Sequence, residues 1–127
     1  MDANAISKEV VDAAVKVHQA LGPGLLESVY EKILAKELIQ RGLSVHCQET
    51  ISITYKGEEI GEAFKADMIV NNLVILELKS VEELGKLHHK QLFTYLKLSN
   101  KSLGLLLNFG APLMKDGIVR VVNNFPE

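Results

Sequence analysis

Two carboxylates and one ammonium group stand out because they lie on two segments that a short turn joins. Asp67 lies on the first segment, and Glu77 and Lys79 lie on the second as Glu-Leu-Lys. Carboxylate oxygens suit Mg²⁺ or Mn²⁺, which bind through one or two carboxylates and keep several waters. A lysine beside such a metal can orient the attacking water and stabilise charge on a phosphoryl oxygen. These residues predict metal-assisted hydrolysis, with Asp67 and Glu77 as the metal ligands.

The segments that carry these residues are predicted to form a β-hairpin. Residues 64–70 and 74–79 are rich in β-branched and apolar side chains, and Asn71-Asn72 between them is a turn signal. A two-residue loop would turn Asp67 away from Glu77, whereas a three-residue loop places them directly opposite each other. We predict the three-residue loop, because it also turns the apolar side chains of both strands toward the core. These side chains are Phe64, Ala66, Met68, Val70, Val74, Leu76 and Leu78.

A purely structural explanation of the same charges stays open. Lys79 lies two residues beyond Glu77 and therefore on the same face of its strand. On a solvated face, Asp67 would form a cross-strand salt bridge with Lys79, and Glu77 would form one with Lys65. Without a cation, two opposed carboxylates destabilise the pair of strands, so the metal site and the salt bridges are competing interpretations. In the metal interpretation, the carbonyl of Leu78 is a candidate third ligand.

The composition is that of an ordinary globular protein. The chain has 127 residues, 47% of them hydrophobic and 24% charged, and we expect one domain over residues 1–127. No apolar run approaches the ~20 residues of a membrane span, and no signal-peptide pattern opens the sequence. We therefore expect a cytoplasmic protein without a membrane partner. The net charge of −2 gives no overall attraction to nucleic acid, so such binding requires a local basic patch or the metal.

The cysteine content excludes two classes of site. Cys47 is the one cysteine of the sequence, so neither a disulfide framework nor a cysteine-ligated zinc or iron–sulfur site is expected. Cys47 is in phase with Val45 and Ile51 in an alternating segment. This phase predicts a buried thiol rather than a reactive one.

Periodicity predicts three helices and five strands in the order α-α-β-β-β-α-β-β. The helices span about residues 8–21, 25–41 and 85–98, with Ser7 as the first N-cap and Gly42 after the second helix. The strands span residues 43–55, a segment from the turn at 56–58 to Val70, and residues 74–79, 103–109 and 118–122. This order is typical of an α/β (α+β) fold in which helices flank a mixed β-sheet.

Three motifs in this order resemble those of the GxxExxY proteins, small prokaryotic domains placed in the PD-(D/E)XK nuclease superfamily. The first motif is Gly24–Tyr30, the second is Asp67 with Glu77-Leu78-Lys79, and the third is Gln91–Tyr95. The resemblance covers nearly the whole chain. It implies a restriction-endonuclease-like core and a Mg²⁺- or Mn²⁺-dependent nuclease that acts on DNA or RNA. A proline usually precedes the metal-binding aspartate in this superfamily, and Ala66 stands there in this sequence.

The resemblance also implies roles for individual residues. Asp67 and Glu77 correspond to the metal ligands, and Lys79 corresponds to the lysine that positions the water. Glu27 corresponds to an acidic residue of the first core helix that reaches the metal or its waters, although an acidic residue in a first helical turn also simply complements the helix dipole. Gln91 corresponds to a glutamine near the lysine and the substrate backbone. Without the resemblance, Gln91 would be interpreted as a surface glutamine.

Two tyrosines are expected to support the site. Tyr30 and Tyr95 each lie three or four residues from a candidate site residue and share its helical face. Each is either a core residue whose hydroxyl bonds a carboxylate or a stacking platform for an unpaired base.

The histidines and the lysines of the third helix have simpler explanations. His18 lies on an apolar helical stripe and is predicted to be a core histidine. His88-His89 are adjacent, so their side chains diverge and a shared metal site is not expected. Four lysines near the third helix form either a phosphate-binding edge or a solvated face, and these are Lys86, Lys90, Lys97 and Lys101.

We therefore expect a metal-dependent nuclease that hydrolyses phosphodiester bonds of DNA or RNA and leaves a 5′-phosphate, as is usual in this superfamily. The alternative is a catalytically silent nuclease-like module that binds nucleic acid or a protein partner, and a third interpretation is a structural domain. A domain of this size has little surface for recognition, so a homodimer is a further expectation. It is compatible with all three interpretations.

Overall fold

The computed structural model describes residues 1–126. These residues form the helices α1 (Ala3–Leu21), α2 (Glu27–Gln40) and α3 (Lys86–Ser99). The strands are β1 (Val45–Tyr55), β2 (Glu58–Val70), β3 (Val74–Lys79), β4 (Leu103–Asn108) and β5 (Ile118–Val122), and a 3₁₀ helix spans Met114–Gly117. The predicted order of helices and strands is confirmed. No helix of the described residues is long and apolar enough to cross a lipid bilayer.

The five strands form one mixed sheet in the order β1-β2-β3-β4-β5. β3 and β4 are parallel, with α3 connecting them, and the other neighbours are antiparallel. Parallel neighbours finish at the same edge of a sheet, so Lys79 at the end of β3 pairs with Asn108 at the end of β4. The main-chain N–H of Phe109 then donates to the carbonyl of Lys79 at 2.8 Å. This edge of the sheet holds the predicted catalytic lysine.

Helices cover both faces of the sheet and create two cores. α1 and α2 pack on one face, where Met68 and Leu76 are fully buried. On the other face, Leu92 of α3 packs with Ile75 and Leu106. Because β3 is buried on both faces, its apolar residues form a nearly unbroken run, as expected for a strand with a parallel neighbour.

The β2–β3 hairpin has the predicted three-residue loop. The loop comprises residues 71–73, and both of its asparagines adopt a positive φ, of 51° and 56°. The strands pair up to Met68 opposite Leu76. The prediction of a three-residue loop is therefore confirmed. The ladder ends one step before Asp67 and Glu77, so their direct pairing across the strands stays a prediction.

The prediction that both hairpin strands face one core is wrong. Phe64 and Ala66 pack with α3, whereas Met68 and Val70 pack with α1 and α2. Both strands are irregular at the same level, because neither Asp67 nor Gln48 of β1 is in the register of β1 with β2, and Gln48 has a φ of 53°. An irregularity of this kind changes the side to which the following side chains point, so β2 contributes to one core before Asp67 and to the other core after it.

The prediction of a buried thiol is wrong, because Cys47 is exposed. Cys47 precedes Gln48 and keeps the phase of Val45, but β1 is an edge strand of the sheet. The irregularity at Gln48 separates Val45 from Ile51, which pack beside different cores although they are in phase in the sequence.

The first helix begins at Ala3, before the predicted start at Lys8. Asp2 is the N-cap, and its side chain accepts a hydrogen bond of 2.8 Å from the main-chain nitrogen of Ala5. Ser7 is buried inside the helix and does not cap it. The remaining ends of helices and strands lie within two residues of the prediction.

Candidate active site

Asp67 and Glu77 are joined by reciprocal bonds between side chain and main chain. The main-chain nitrogen of Asp67 donates to Oε2 of Glu77 at 2.8 Å, and the main-chain nitrogen of Leu78 donates to Oδ2 of Asp67 at 2.9 Å. These bonds replace main-chain pairing beyond Met68 and Leu76, where the register of β2 with β3 stops. The two carboxyl groups are therefore fixed against each other at the point where the strands separate.

Glu77 is held in an environment that disfavours its charge. Its side chain is 5% exposed, and burial together with the negative charge of Asp67 raises its pKa to about 8. Glu31 raises the pKa slightly further, whereas the N–H of Asp67 and the charge of Lys79 oppose the shift. Glu77 is therefore largely protonated at neutral pH, and a cation beside it would favour the ionised form.

Lys79 lies at the end of β3 and is half-buried. Its charge acts favourably on Glu77. Among residues 1–126, neither Asp67 with Lys79 nor Glu77 with Lys65 forms a salt bridge within 4.0 Å. The structural explanation of these charges as cross-strand salt bridges is therefore wrong.

α2 brings two further carboxylates to Asp67. Glu27 is the first residue of this helix and Glu31 follows one turn later. Both line a cavity of about 150 Å³ together with Asp67 and Gln48, and Ser28 and Leu78 complete its walls. Nε2 of Gln48 donates to Oε1 of Glu31 at 2.8 Å and lies 3.4 Å from Oδ1 of Asp67. The structure thus places the predicted Glu27 beside Asp67.

Sequence reasoning missed Glu31 and Gln48. Glu31 lies four residues after Glu27, and this spacing on a helix was a usable sign that both carboxylates share a face. Gln48 had no such sign, because its place beside Asp67 depends on the positive φ that interrupts β1.

Tyr30 is a core residue whose hydroxyl stabilises the loop before α2. Its ring is fully buried and stacks on Phe109, with ring centroids 4.5 Å apart. The hydroxyl donates to the carbonyl of Gly22 at 2.5 Å and accepts from the main-chain nitrogen of Leu25 at 3.1 Å. The core alternative is confirmed, with main-chain groups as partners in place of the expected carboxylate. A buried ring cannot serve as a stacking platform for a base.

The two predicted residues of α3 differ in their surroundings. Tyr95 is half-buried and stacks on Phe64, with centroids 3.8 Å apart and planes 2° apart. Burial, Glu77 and Asp67 raise the pKa of its hydroxyl, in that order of importance, so the hydroxyl lies within electrostatic reach of both carboxylates. Gln91 is exposed, and within the described residues its side chain makes no hydrogen bond. The charges of both carboxylates therefore reach Tyr95, whereas Gln91 is exposed one turn earlier on α3 without a hydrogen-bond partner among the described residues.

The histidines lie apart from these carboxylates. His18 is buried, and its Nε2 lies 2.9 Å from the carbonyl oxygen of Ala111, which confirms the prediction of a core histidine. Nδ1 of His88 accepts from the main-chain nitrogen of Gly85 at the start of α3. Both rings thus have structural partners.

A comparison with protein families identifies the class of this fold. The family model of the PD-(D/E)XK nuclease superfamily matches residues 4–121. The chain belongs to the PD-(D/E)XK nuclease superfamily. The match includes both strands of the Asp67–Glu77 hairpin and all three helices, so the restriction-endonuclease-like fold expected from the sequence is confirmed. Nuclease chemistry on nucleic acid is the usual activity of PD-(D/E)XK domains.

Comparison with solved structures gives the same fold. The chain is similar to the crystal structure of SSO0001, with a TM-score of 0.54 and 21% sequence identity. The alignment covers 96% of this chain and 60% of that chain, so the PD-(D/E)XK domain described here spans about three-fifths of the length of its structural relative. A search of curated proteins finds no significant match.

The donor atoms of the carboxylate pair fit a hard divalent cation. Main-chain N–H groups bind Oδ2 of Asp67 and Oε2 of Glu77. Within the described residues, Oε1 of Glu77 has no hydrogen bond, and Oδ1 of Asp67 has only the long contact of 3.4 Å with Gln48. Residues 1–126 contain no group of three or more His, Cys, Asp or Glu side chains arranged to hold a metal. Mg²⁺ commonly binds through one or two carboxylates and completes its octahedron with water. A two-carboxylate site is consistent with that preference.

Proposed function

We propose that this chain is a metal-dependent nuclease that hydrolyses phosphodiester bonds in DNA or RNA. The observation that carries the proposal is the reciprocal bonding of Asp67 and Glu77. It holds two carboxyl groups together although their ionised forms repel each other. A raised pKa caused by burial and a like charge is typical of functional sites. Membership of the PD-(D/E)XK superfamily supports the choice of nucleic acid as the substrate.

In this proposal, Asp67 and Glu77 hold one or two Mg²⁺ or Mn²⁺ ions, with the carbonyl of Leu78 as a further candidate ligand. The bound metal would supply Lewis-acid polarisation of the scissile phosphate and neutralise its charge. Glu77 would hold the cation in its ionised form, with its proton released to solvent. Lys79 holds the attacking water by a hydrogen bond and stabilises the negative charge that develops on the phosphoryl oxygens.

Residues outside the hairpin complete the proposed site. Glu27 accepts a hydrogen bond from the attacking water, because it lines the same cavity as Asp67. Gln91 is exposed on α3 and is proposed to bind the substrate backbone. Tyr95 lies near the charges of both carboxylates and supports them by its packing on Phe64. In-line attack of the water forms a new P–O bond and breaks the bond between phosphorus and the 3′ oxygen. The products are a 5′-phosphate and a 3′-hydroxyl, whose oxygen takes up a proton to balance the proton that the water loses.

Cleavage assays with a matched lysine control test the proposal. Single-stranded, duplex and hairpin oligonucleotides of DNA and RNA are incubated with the protein and Mg²⁺ or Mn²⁺. Lys79→Ala is expected to lose at least a hundredfold in rate, because the water and the developing charge lose their partner. Lys65→Ala removes an exposed lysine of β2 two residues before Asp67 and is expected to cleave like wild type. Equal rates for Lys79→Ala and wild type would contradict the proposal.

A second candidate is a binding module with a nuclease fold and no turnover. It is favoured by the absence, within residues 1–126, of a ready-made group of three metal-binding side chains. Titration with Mn²⁺ separates the two candidates. Binding that is lost in both Asp67→Ala and Glu77→Ala supports the nuclease, whereas nucleic-acid binding without any metal dependence supports the module. Sedimentation of the same samples tests the homodimer expected from the small recognition surface.

A further inference from the structure

A groove between α2 and β1 borders the cavity that contains Asp67. It has a volume of about 540 Å³, and its walls include Lys32, Lys36, Ile39 and Cys47. Glu31 lines both the groove and the smaller cavity. The two spaces are therefore adjacent, and the groove is the surface next to the carboxylate pair on the side of Glu31.

Two lysines give the groove the charge that a phosphate backbone requires. Lys32 and Lys36 are exposed and lie one helical turn apart, a rise of about 6 Å. Within residues 1–126 neither lysine forms a salt bridge within 4.0 Å. The opposing charge is Glu31, which is hydrogen-bonded to Gln48 at the end of the groove nearest the proposed metal. A cation at Asp67 would offset the repulsion between Glu31 and a phosphate at that end of the groove.

The apolar floor of the groove favours single-stranded over double-stranded nucleic acid. Ala35 and Ile39 line the groove beside the two lysines, on the same face of α2. The side chain of Ile39 is 57% exposed. An exposed apolar floor beside cations suits van der Waals contact with the faces of unpaired bases, while the backbone follows the positive charges. In a duplex the base faces are buried in the stack, and this floor would contact only sugar and phosphate.

We propose that the α2–β1 groove binds single-stranded nucleic acid, with phosphates on Lys32 and Lys36 and bases over Ala35 and Ile39. This inference rests on the proposed nuclease function and specifies its substrate as an unpaired strand. DNA and RNA share the chemistry that the groove recognises, so the experiment includes both.

Cys47 is a built-in reporter for the groove. It is the single cysteine of the sequence, it is exposed, and it lines the groove. Burial raises the pKa of the Cys47 thiol, so wild-type protein is labelled with a maleimide at an alkaline pH of about 8.5 to increase the thiolate fraction. Ca²⁺ takes the place of Mg²⁺. A single-stranded DNA or RNA oligonucleotide is expected to slow labelling about tenfold, and a duplex of the same sequence less than twofold. Equal protection by the duplex, or binding of single strands without protection, would overturn the inference.

A pair of lysine variants with a matched control localises the binding. Lys32→Ala/Lys36→Ala is expected to abolish the protection of Cys47 and to reduce the slope of log affinity against log salt by about 0.7 per lysine. Lys86→Ala/Lys90→Ala removes two exposed lysines with the same spacing, which line a different cavity of about 380 Å³ on α3. Protection in this control is expected to match wild type. Equal loss in both pairs contradicts a groove site.

The outcome is separable from that of the proposed nuclease. Cleavage of duplex alone, without protection of Cys47, would reject the groove and retain the nuclease. Protection by single strands without cleavage under any metal condition would reject the nuclease and retain a strand-binding groove.

Discussion

The hydroxyl of Ser80 donates to the carbonyl of Leu25 at 2.8 Å. Ser80 follows Lys79, and Leu25 lies two residues before Glu27, so this bond joins the end of β3 to the loop that leads into α2. The N–H of Leu25 is bound at the same time by the hydroxyl of Tyr30. Both main-chain groups of Leu25 are therefore fixed. As a result, the main chain at the proposed catalytic Lys79 and the main chain at Glu27 are held at a fixed distance from each other, although the two residues are far apart in the sequence.

Tyr30→Phe is predicted to destabilise the protein and to misplace Glu27. The substitution keeps the ring that stacks on Phe109 but removes the partner of Gly22 and Leu25. Leaving those main-chain groups without a partner costs about 1–3 kcal/mol in free energy of unfolding, measured by urea denaturation. Cleavage should fall even where the variant is fully folded. Tyr55→Phe is the matched control, because Tyr55 is 62% exposed, and a similar loss in that variant would show that the effect is unspecific.

The stability of the metal-free protein is predicted to fall as pH rises from about 4.5 to about 8. In this range the unfolded chain has lost the proton of Glu77, whose ordinary pKa is 4.5, while the folded chain keeps it up to a pKa of about 8. The folded state therefore binds more protons in this range. The stabilisation by protonated Glu77 is fully present below pH 4.5 and is lost as the pH rises to about 8. The free energy of unfolding should fall by at most about 1.4 kcal/mol per pH unit from this group.

Glu77→Gln isolates that contribution. Glutamine keeps an oxygen for the N–H of Asp67 but does not titrate. Chemical denaturation of wild type and Glu77→Gln at several pH values should show a smaller pH dependence in the variant and a greater stability above pH 7. Parallel pH profiles for the two proteins would show that Glu77 does not carry the raised pKa.

Divalent-metal binding is predicted to release a proton and to strengthen with pH. The cation and the proton compete for Glu77, so the apparent affinity should rise up to about tenfold per pH unit below the pKa of about 8 and level off above it. Calorimetry with Mn²⁺ in buffers of different ionisation enthalpy measures the protons released. Asp67→Asn should lose the binding, whereas Glu62→Gln, on the exposed part of β2, should retain it. Affinity that is independent of pH would argue against Glu77 as a ligand.

Gly110→Ala is predicted to destabilise the fold more than Gly104→Ala. A Cβ at position 110 would overlap the main chain of Val81, which cannot move without displacing the end of β3. A Cβ at position 104 would lie 3.0 Å from a terminal carbon of Leu92, and this side chain can rotate away. Overpacking of this kind costs about 1–3 kcal/mol, and we expect Gly110→Ala to reach the upper end or beyond in urea denaturation. The reverse order would contradict the close approach at Val81.

The hairpin could be predicted from the sequence because local rules govern it. Two asparagines that tolerate a positive φ define the loop, and the loop defines the register of residues 68–70 with residues 74–76. The division of β2 between two cores could not be predicted from the hairpin alone. It accompanies an irregularity at Asp67 and Gln48, and Gln48 is a residue of ordinary type for which no local pattern predicts a positive φ.

The site was predictable only where its residues lie in short motifs. The carboxylates and Lys79 share one hairpin, and Glu31 could have been found from its helical spacing with Glu27. The raised pKa of Glu77 follows from burial of β3 on both faces, which requires β4 and α3 to pack beside it. The role of Ser80 requires the approach of Leu25 from another part of the chain, and no local pattern announces that contact.

β1 accompanies β2 along ten residue pairs, whereas β2 meets β3 along three, at residues 68–70. The outer part of the β1–β2 hairpin is therefore a ribbon with one neighbour for each strand. Amide hydrogens in that ribbon should exchange with deuterium through small local openings. Amide hydrogens at residues 68–70 should exchange only through global unfolding. A single continuous strand thus spans nearly the full range of protection in this fold, and its protected end is the end next to Asp67.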